Sequence, residues 1–235
     1  DTIVVFTTDN GPNFFTWPDA ANTPFRSEKD SNWEGAFRVP AMVRWPDKIK
    51  PGTTSNGLIS GLDWFPTLLA AAGDTGIKDR LLKGAGVGGK NFKVHLDGFN
   101  QLPMLTGQTE KSSREEFFYF NDDAELVAMR FDTALPGATT PTAFKVVFCE
   151  QRAPGGMQIW KEPFTCLRTP KFYNLRLDPY ERGDVGPTNL YEQYQTENAF
   201  VMFEGGRRAE KFLQTFVDYP PSQIPASFTI DQAVA

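Results

Sequence analysis

Histidine is nearly absent from this chain of 235 residues, which contains only His95. A cluster of imidazole metal ligands therefore cannot be built from these residues, and a Ser-His or Cys-His catalytic pair would have to use His95. Cysteine is almost as scarce, because Cys149 and Cys166 are the only two. They can form at most one disulfide, and two packed free thiols are an equal alternative. We expect any chemistry to depend on carboxylates, amides, lysines or arginines.

Long apolar runs and an excess of basic residues are also lacking. No apolar run reaches the roughly 18 residues of a membrane-spanning helix, and the mean hydropathy is −0.39. The 24 Lys and Arg residues stand against 29 Asp and Glu residues, a net charge of −5 that gives no electrostatic reason to expect nucleic acid. With 40% hydrophobic residues, the chain is predicted to fold around a real core.

The chain begins with an apolar, β-branched run from Ile3 to Thr7. Such a run is typical of a strand buried on both faces of a parallel sheet. A parallel strand needs neighbours that are joined to it by crossover helices, and this sequence has none before it. We therefore expect the chain to be the downstream part of a larger α/β protein.

Two polar side chains, Asp9 and Asn10, follow this strand in the sequence Thr-Asp-Asn-Gly-Pro. In open α/β sheets, ligands bind outside the carboxyl ends of the strands. Carboxylate and amide oxygens suit a hard cation such as Ca²⁺ or Mg²⁺. An ordinary Asp-Asn-Gly turn is the alternative interpretation.

Charged residues gather beside Trp33 and Gly35 in the segment that leads to the next strand. This composition favours a loop that contributes to a site. Lys29 could hold an anion as a compact positive charge. The alternative is solvated charge on a surface loop.

Taken in order, these motifs resemble the second half of a type I, arylsulfatase-like sulfatase of the alkaline-phosphatase-like superfamily. The matching pattern is Thr-Thr-Asp-Asn-Gly-Pro, then Lys-x-x-x-Trp-Glu-Gly-Ala-x-Arg-Val-Pro and Val-Arg-Trp-Pro. The similarity continues through residues 60–73, 96–107 and 172–182. The resemblance implies that Asp9 and Asn10 are metal ligands, usually for Ca²⁺, and that Lys29 binds the substrate sulfate and takes part in catalysis.

The nucleophile of that family is a formylglycine made within Cys/Ser-x-Pro-x-Arg, and this pattern does not occur in the chain. The family's Asp-Asp metal ligands and active-site histidines also belong upstream. We therefore expect the formylglycine in a missing N-terminal half, which would be the chain's own partner, and we expect this chain to be inactive alone. Asn121-Asp122-Asp123 is predicted to be a hairpin turn, and His95 a surface residue.

The predicted fold class is α/β: the remainder of an alkaline-phosphatase-like mixed sheet core, then a small antiparallel sheet with a C-terminal helix. We place the core at residues 1–112 and the small subdomain at 113–235. A helix is predicted from Asp63 to Ala72, and Gly205-Gly206 is expected to break or start the last helix. An extended tail is predicted from Pro220. The strand-like runs of the subdomain are 116–120, 126–131, 144–149, 157–160 and 172–177.

The preferred function is a sulfuric ester hydrolase that acts on a sulfate ester, either a small molecule or a sulfated glycan. One alternative is a phosphatase, phosphodiesterase or phosphonate monoester hydrolase of the same superfamily. Another is a non-catalytic derivative that binds anionic glycans. The aromatic residues of the first loop are candidate walls of the substrate pocket: Phe14, Phe15, Trp17 and Phe25.

Overall fold

The computed structural model describes residues 2–186 and 190–223. In chain order its strands are β1 Val4–Thr7, β2 Ala41–Arg44, β3 Ala85–Val87, β4 Lys90–Phe92, β5 Glu116–Phe120, β6 Leu126–Ala134, β7 Pro141–Glu150 and β8 Thr165–Asn174. Its helices are α1 Glu34–Phe37, α2 Trp64–Ala71, α3 Ile77–Lys83, α4 Leu102–Leu105, α5 Met157–Lys161, α6 Leu190–Glu197 and α7 Phe200–Asp218.

The chain divides into two compact units that alternate along the sequence. The first unit contains residues 2–9, Pro40–Glu115 and Phe212–Pro221. The second contains Asn10–Val39, residues 116–186 and 190–211, and residues 222–223. The segment that carries Lys29 thus belongs to the same unit as strands β5 to β8. The sequence-based division at residue 112 stays a prediction.

Strand β1 of the first unit pairs antiparallel with β2, with Val4 opposite Arg44 and Thr7 opposite Ala41. Its side chains are exposed, and Phe6 retains 60% of its accessible surface. The pairing with β2 is antiparallel, so the parallel neighbours expected for β1 are not found among the described residues. Among the described residues only β2 is hydrogen-bonded to β1, so no second neighbour extends the sheet.

Helix α2 confirms the helix predicted near residues 63–72. A capping box precedes it, in which Ser60 N donates to Asp63 Oδ2 at 2.9 Å and Leu62 N donates to Ser60 Oγ at 3.3 Å. The fully buried Asp63 carboxylate also pairs with Arg114, with Nη2 and Oδ1 2.6 Å apart. Phe99 N donates to the same carboxylate at 2.8 Å. These bonds to Asp63 connect the start of α2 to Arg114, near the end of the Pro40–Glu115 segment.

The second unit is built on an antiparallel sheet of four strands in the order β5-β6-β7-β8. The predicted antiparallel subdomain is confirmed, and each strand overlaps a predicted run. The run predicted as a strand at 157–160 is wrong, because it forms helix α5. The side-chain amide of Gln151 donates to the carbonyl oxygens of Ile159 and Glu162 at 3.2 and 2.8 Å. These two bonds satisfy acceptors in and just after the helix, which a local sequence pattern cannot reveal.

Cys149 and Cys166 form a disulfide between the paired strands β7 and β8. Of the two alternatives from sequence, the cross-strand disulfide is therefore the one found. Asn121 lies in the tight turn between β5 and β6, where its N–H donates to the carbonyl oxygen of Glu125 at 3.1 Å. The prediction of a hairpin turn is confirmed.

Helix α7 runs without interruption through Gly205 and Gly206, so the predicted break is wrong. A Cβ at Gly205 would lie 2.8 Å from Val146 Cγ2 on the buried sheet. The glycine therefore lets the helix approach the sheet closely rather than ending it. From residue 224 onward, the tail predicted from Pro220 lies outside the described residues. No described helix combines the length and apolar character that crossing a bilayer requires.

Candidate functional site

The two predicted cation ligands lie in the turn after β1. Asp9 is exposed and Asn10 is half-buried. Thr8 Oγ1 donates to Asp9 Oδ1 at 3.2 Å, and Asn10 Nδ2 donates to the carbonyl oxygen of Gly11 at 2.8 Å. This second bond fixes which way the amide of Asn10 is turned. The pair therefore offers one carboxylate and one amide oxygen, both of the hard type that Ca²⁺ and Mg²⁺ take.

These two side chains would supply only part of the ligands of a bound cation. Within residues 2–186 and 190–223, no three histidine, cysteine, aspartate or glutamate side chains are grouped so that they could hold a metal ion. A calcium shell contains about six to eight oxygens. The chemistry of Asp9 and Asn10 thus fits two ligands of a larger shell.

Three backbone segments stack against one another beside Asn10. Gly11 N donates to the carbonyl oxygen of Ala36 at 2.7 Å, and Gly35 N donates to that of Arg26 at 2.9 Å. A Cβ at Gly11 would lie 1.8 Å from the oxygen of Gly35, and a Cβ at Gly35 would lie 2.3 Å from the oxygen of Arg26. The glycines of the Asp-Asn-Gly and Trp-Glu-Gly motifs are therefore required by the close approach of backbones.

Lys29 lies on the same stack. Its N–H donates to the carbonyl oxygen of Pro12 at 3.0 Å. Ser27 and Asp30, on either side of the Glu28-Lys29 pair, have φ values of 62° and 66°. Few non-glycine residues adopt this left-handed conformation, so the surrounding structure must hold the loop in place. Burial raises the pKa of the Asp30 carboxyl.

Glu28 provides part of that support. It is 2% exposed, and its carboxylate accepts short hydrogen bonds from the backbone N–H groups of Phe14 and Gly156. Gly156 immediately precedes helix α5. The ammonium group of Lys29 lies 5.9 Å from the ring centre of Trp160 on that helix. One buried carboxylate thus ties together the lysine loop, the first aromatic loop and α5.

The residues after Lys29 dock on the end of β7. Asn32 Nδ2 donates to the carbonyl oxygen of Cys149 at 2.9 Å, and its Oδ1 accepts from Gln151 N at 3.1 Å. Trp33 Nε1 donates to the carbonyl oxygen of Gln151 at 2.9 Å. The Arg26 guanidinium stacks on the Trp33 ring, 3.5 Å from its centre. Trp33 is therefore an anchor of the loop and is 1% exposed.

A buried charge cluster holds Glu34, the next residue of the motif. Lys145 Nζ lies 3.2 Å from Glu34 Oε1 and 2.8 Å from Glu181 Oε1, and all three side chains are at most 1% exposed. Tyr119 OH donates to Glu34 Oε1 at 2.6 Å, and Glu34 N donates to Glu181 Oε2 at 2.7 Å. Arg130 Nη1 is 3.9 Å from Glu34 Oε2.

The two carboxyl groups of this cluster are perturbed in opposite directions. Burial opposes ionisation of Glu34, but Lys145, the hydroxyl of Tyr119 and Arg130 lower its pKa. Burial raises the pKa of Glu181 to about 7, against the effect of Lys145 and with a further contribution from Glu34. Burial and the charge of Glu34 raise the pKa of Tyr119 well above its usual value. The cluster thus contains one carboxylate and a second group that titrates near neutrality.

The structure brings Asn10 and Lys29 onto segments of one unit that are hydrogen-bonded to each other, and Asp9 directly precedes Asn10. His95, predicted to be a surface residue, keeps 30% of its side chain accessible, and its Nδ1 lies 2.9 Å from Asp97 Oδ1. The sequence analysis missed the side chains that hold the loop: Glu28, Glu34, Lys145, Trp160 and Glu181. One signal was available for Lys145, because a lysine inside the apolar run 144–149 needs a buried partner.

Comparisons with known proteins agree with the resemblance seen in the sequence. Residues 1–74 match the family model described as Sulfatase. The chain is 30% identical over 203 residues to a steryl-sulfatase from Mus musculus, which covers 80% of this chain and 29% of that protein. It is 36% identical over 121 residues to arylsulfatase A from Homo sapiens, covering 51% of this chain and 20% of that protein.

A solved structure extends the similarity to most of the chain. The crystal structure of the PsFucS1 sulfatase from Pseudoalteromonas sp. matches with a TM-score of 0.72 and 25% identity, over 95% of this chain and 39% of that one. The fold is therefore the mixed α/β architecture of a known sulfatase. The chain as a whole therefore resembles the C-terminal region of a type I sulfatase, and the match to the family model lies in residues 1–74. It spans between 20% and 39% of the length of these three proteins.

Proposed function

We propose that this chain is part of a sulfatase that hydrolyses sulfate esters. In this proposal Lys29 binds the sulfate, and Asp9 and Asn10 ligate a divalent cation, Ca²⁺ or alternatively Mg²⁺. The observation that carries the proposal is the hydrogen bond from Lys29 N to Pro12 O at 3.0 Å. It connects the lysine loop to the turn that contains Asn10, so one backbone framework positions an anion-binding and a cation-binding side chain.

The proposed chemistry is electrostatic. When a sulfate ester is cleaved at its S–O bond, the electron pair of that bond goes to the departing oxygen, next to sulfate oxygens that already carry negative charge. An ammonium group at a fixed position stabilises that charge more than one that must reorganise. Glu28 and the backbone hydrogen bonds of Gly11, Lys29 and Gly35 hold the backbone of Lys29 in place, which limits the positions that its ammonium group can take. When bound, the cation would supply Lewis-acid stabilisation of the same oxygens.

The nucleophile is proposed to lie outside this sequence. Because the chain has no Cys/Ser-x-Pro-x-Arg pattern, the formylglycine is expected in the remainder of the whole enzyme, together with the other metal ligands. The isolated chain should therefore bind sulfate without turning over a sulfate ester. Measurable hydrolysis of an aryl sulfate by purified residues 1–235 would contradict this part of the proposal.

A titration of the chain with inorganic sulfate tests the binding role directly. The backbone amide and side-chain resonances of Lys29 are followed by NMR, with and without Ca²⁺. We expect Lys29 signals to shift, and we expect Ca²⁺ to strengthen sulfate binding. The Lys29→Ala variant should abolish sulfate binding, whereas Asp9→Ala should remove only the enhancement by Ca²⁺. Lys161→Ala, another lysine of the same unit, is the matched control and should bind as the unaltered chain does.

The same titration separates the alternatives. Sulfate shifts that persist unchanged in Lys29→Ala would exclude the assigned role. A response to inorganic phosphate but not to sulfate would favour the phosphatase or phosphodiesterase alternative. Mg²⁺ replacing Ca²⁺ without loss would favour Mg²⁺ as the cation.

A further inference from the structure

Beside Lys29, two aromatic side chains remain exposed in a unit that buries several of its other rings. Phe15 is 50% exposed and Trp160 is 42% exposed, whereas Trp33, Phe144 and Phe172 are at most 1% exposed. Exposed aromatic side chains that lie together are typical of binding surfaces. We call Phe15, Lys29 and Trp160 the platform.

Contacts around Gly156 and Glu28 bring the residues of the platform together. A Cβ at Gly156 would lie 3.7 Å from Phe15 Cε1, so the Phe15 ring covers the residue before α5. Trp160 lies on α5, four residues further along the chain. The carboxylate of Glu28 accepts hydrogen bonds from the N–H groups of Phe14 and Gly156, and so ties the backbone next to Phe15 and the backbone at the start of α5 to the Lys29 loop.

The charge and shape of the platform indicate the chemistry of its ligand. The ammonium group of Lys29, 5.9 Å from the centre of the Trp160 ring, is complementary to a sulfate. An apolar body such as a sterol needs a pocket that encloses most of its surface. Rings that keep about half of their surface in solvent do not provide such a pocket. They suit a ligand with one flat C–H face and polar groups elsewhere.

A pyranose ring has this form. One of its faces presents C–H groups with partial positive charge, which are attracted to the negative face of an indole, while its hydroxyl groups stay in water. We propose that the platform binds the sugar ring of a sulfated carbohydrate, with Trp160 stacked on the ring and Lys29 on its sulfate, so that Trp160 determines specificity. This inference rests on the proposed function for the role of Lys29.

The test uses NMR titrations of the chain with a panel of monosulfated methyl glycosides of galactose, N-acetylgalactosamine, glucose and fucose. The matching unsulfated glycosides, inorganic sulfate and p-nitrophenyl sulfate are the comparison ligands. The indole N–H of Trp160 should shift with at least one sulfated glycoside and should not shift with inorganic sulfate. Trp160→Ala should weaken binding of that glycoside roughly threefold to tenfold and leave sulfate binding unchanged.

Further variants keep the two proposals distinguishable. Trp160→Phe should restore most of the glycoside affinity because it keeps an aromatic face, and Phe203→Ala, a 75% exposed ring on α7, should have no effect. If Lys29→Ala loses sulfate binding but Trp160→Ala binds glycosides normally, the platform is refuted and the proposed function stands. If Lys29→Ala binds both inorganic sulfate and the sulfated glycosides normally, the role of Lys29 in the proposed function is refuted. A Trp160 shift with p-nitrophenyl sulfate alone, or with no ligand at the highest soluble concentration, overturns the carbohydrate assignment.

Discussion

Strand β1 and the segment of residues 31–36 differ sharply in burial: the strand is exposed and the segment is buried. The strand is regular and apolar, yet its side chains are exposed, including 60% of Phe6. In the 31–36 segment, residues 31–33 are irregular and residues 34–36 belong to the short helix α1; the segment carries the charge of Glu34, yet all six residues are buried. Regular hydrogen bonding therefore does not decide which segment is covered. Contacts with side chains from distant parts of the sequence decide which segment is buried.

Two kinds of contact bury the 31–36 segment. Neutral contacts come from backbone stacking at Gly35 and from the hydrogen bonds of Asn32 and Trp33 to the end of β7. Charged contacts come from Glu34 and its partners Lys145 and Glu181. A buried charge is stable only when its partner is present, so this segment depends on a few residues far more than β1 does.

The largest expected effect is on the charge cluster. Lys145→Met removes the cation that lies between Glu34 and Glu181 and leaves two buried carboxyl groups without their shared partner. We expect the free energy of unfolding to fall by about 3–5 kcal/mol at neutral pH. Urea denaturation followed by tryptophan fluorescence measures this loss.

Arg114→Met is the matched control, because Arg114 pairs with the single buried carboxylate of Asp63 in the other unit. Asp63 keeps N–H donors from Ser60 and Phe99, so its loss should be at the lower end of the same range. A larger loss for Arg114→Met than for Lys145→Met would show that the cluster at Glu34 depends less on its cation than Asp63 does.

The next effect concerns the backbone stack. A Cβ at Gly35 would lie 2.3 Å from the carbonyl oxygens of Arg26 and Ser27, which are backbone atoms and cannot rotate away. Gly35→Ala should therefore cost about 3 kcal/mol, at the upper end of overpacking effects. It should also weaken sulfate binding at Lys29, because the 26–30 loop must shift. In Gly61→Ala, where no atom lies within 4 Å of the new Cβ, stability should change little.

Glu181 should make the stability of the second unit depend on pH. Its folded pKa of about 7 lies above the ordinary value of 4.5, so the folded state binds more protons than the unfolded state between these values. Stability from this group is therefore greatest at low pH and decreases as the pH rises from about 4.5 to about 7. The lowered pKa of Glu34 acts below that window and does not alter the sign within it.

Glu181→Gln should remove this dependence. Comparing urea midpoints at pH 5 and pH 7.5, we expect the unaltered chain to lose about 2 kcal/mol more than the variant over that interval. The unaltered chain is the control for the variant, because all other titrating groups are common to both chains. Parallel pH profiles for the two chains would mean that Glu181 is already ionised at pH 5.

The comparison also explains how much the sequence could predict. Strands β5 to β8 follow from apolar patterns inside each segment, and the start of α2 follows from its local capping residues. The burial of the 31–36 segment could not be predicted in this way, because Glu34 meets Lys145 at a separation of 111 residues and Glu181 at 147. For the candidate site, the resemblance led to Asp9, Asn10 and Lys29 as predicted ligands, while the side chains that support the Lys29 loop come partly from distant parts of the chain.

The smallest expected effect is on β1. Because Phe6 is 60% exposed, Phe6→Ser removes little buried apolar surface and should change the free energy of unfolding by about 0.5 kcal/mol or less. Phe144→Ala, at a fully buried ring of β7, should cost about 3–5 kcal/mol in the same assay. A loss for Phe6→Ser that approaches this value and grows with protein concentration would mean that a second copy covers β1 in solution. A large loss that is independent of concentration would contradict the exposure of β1 itself.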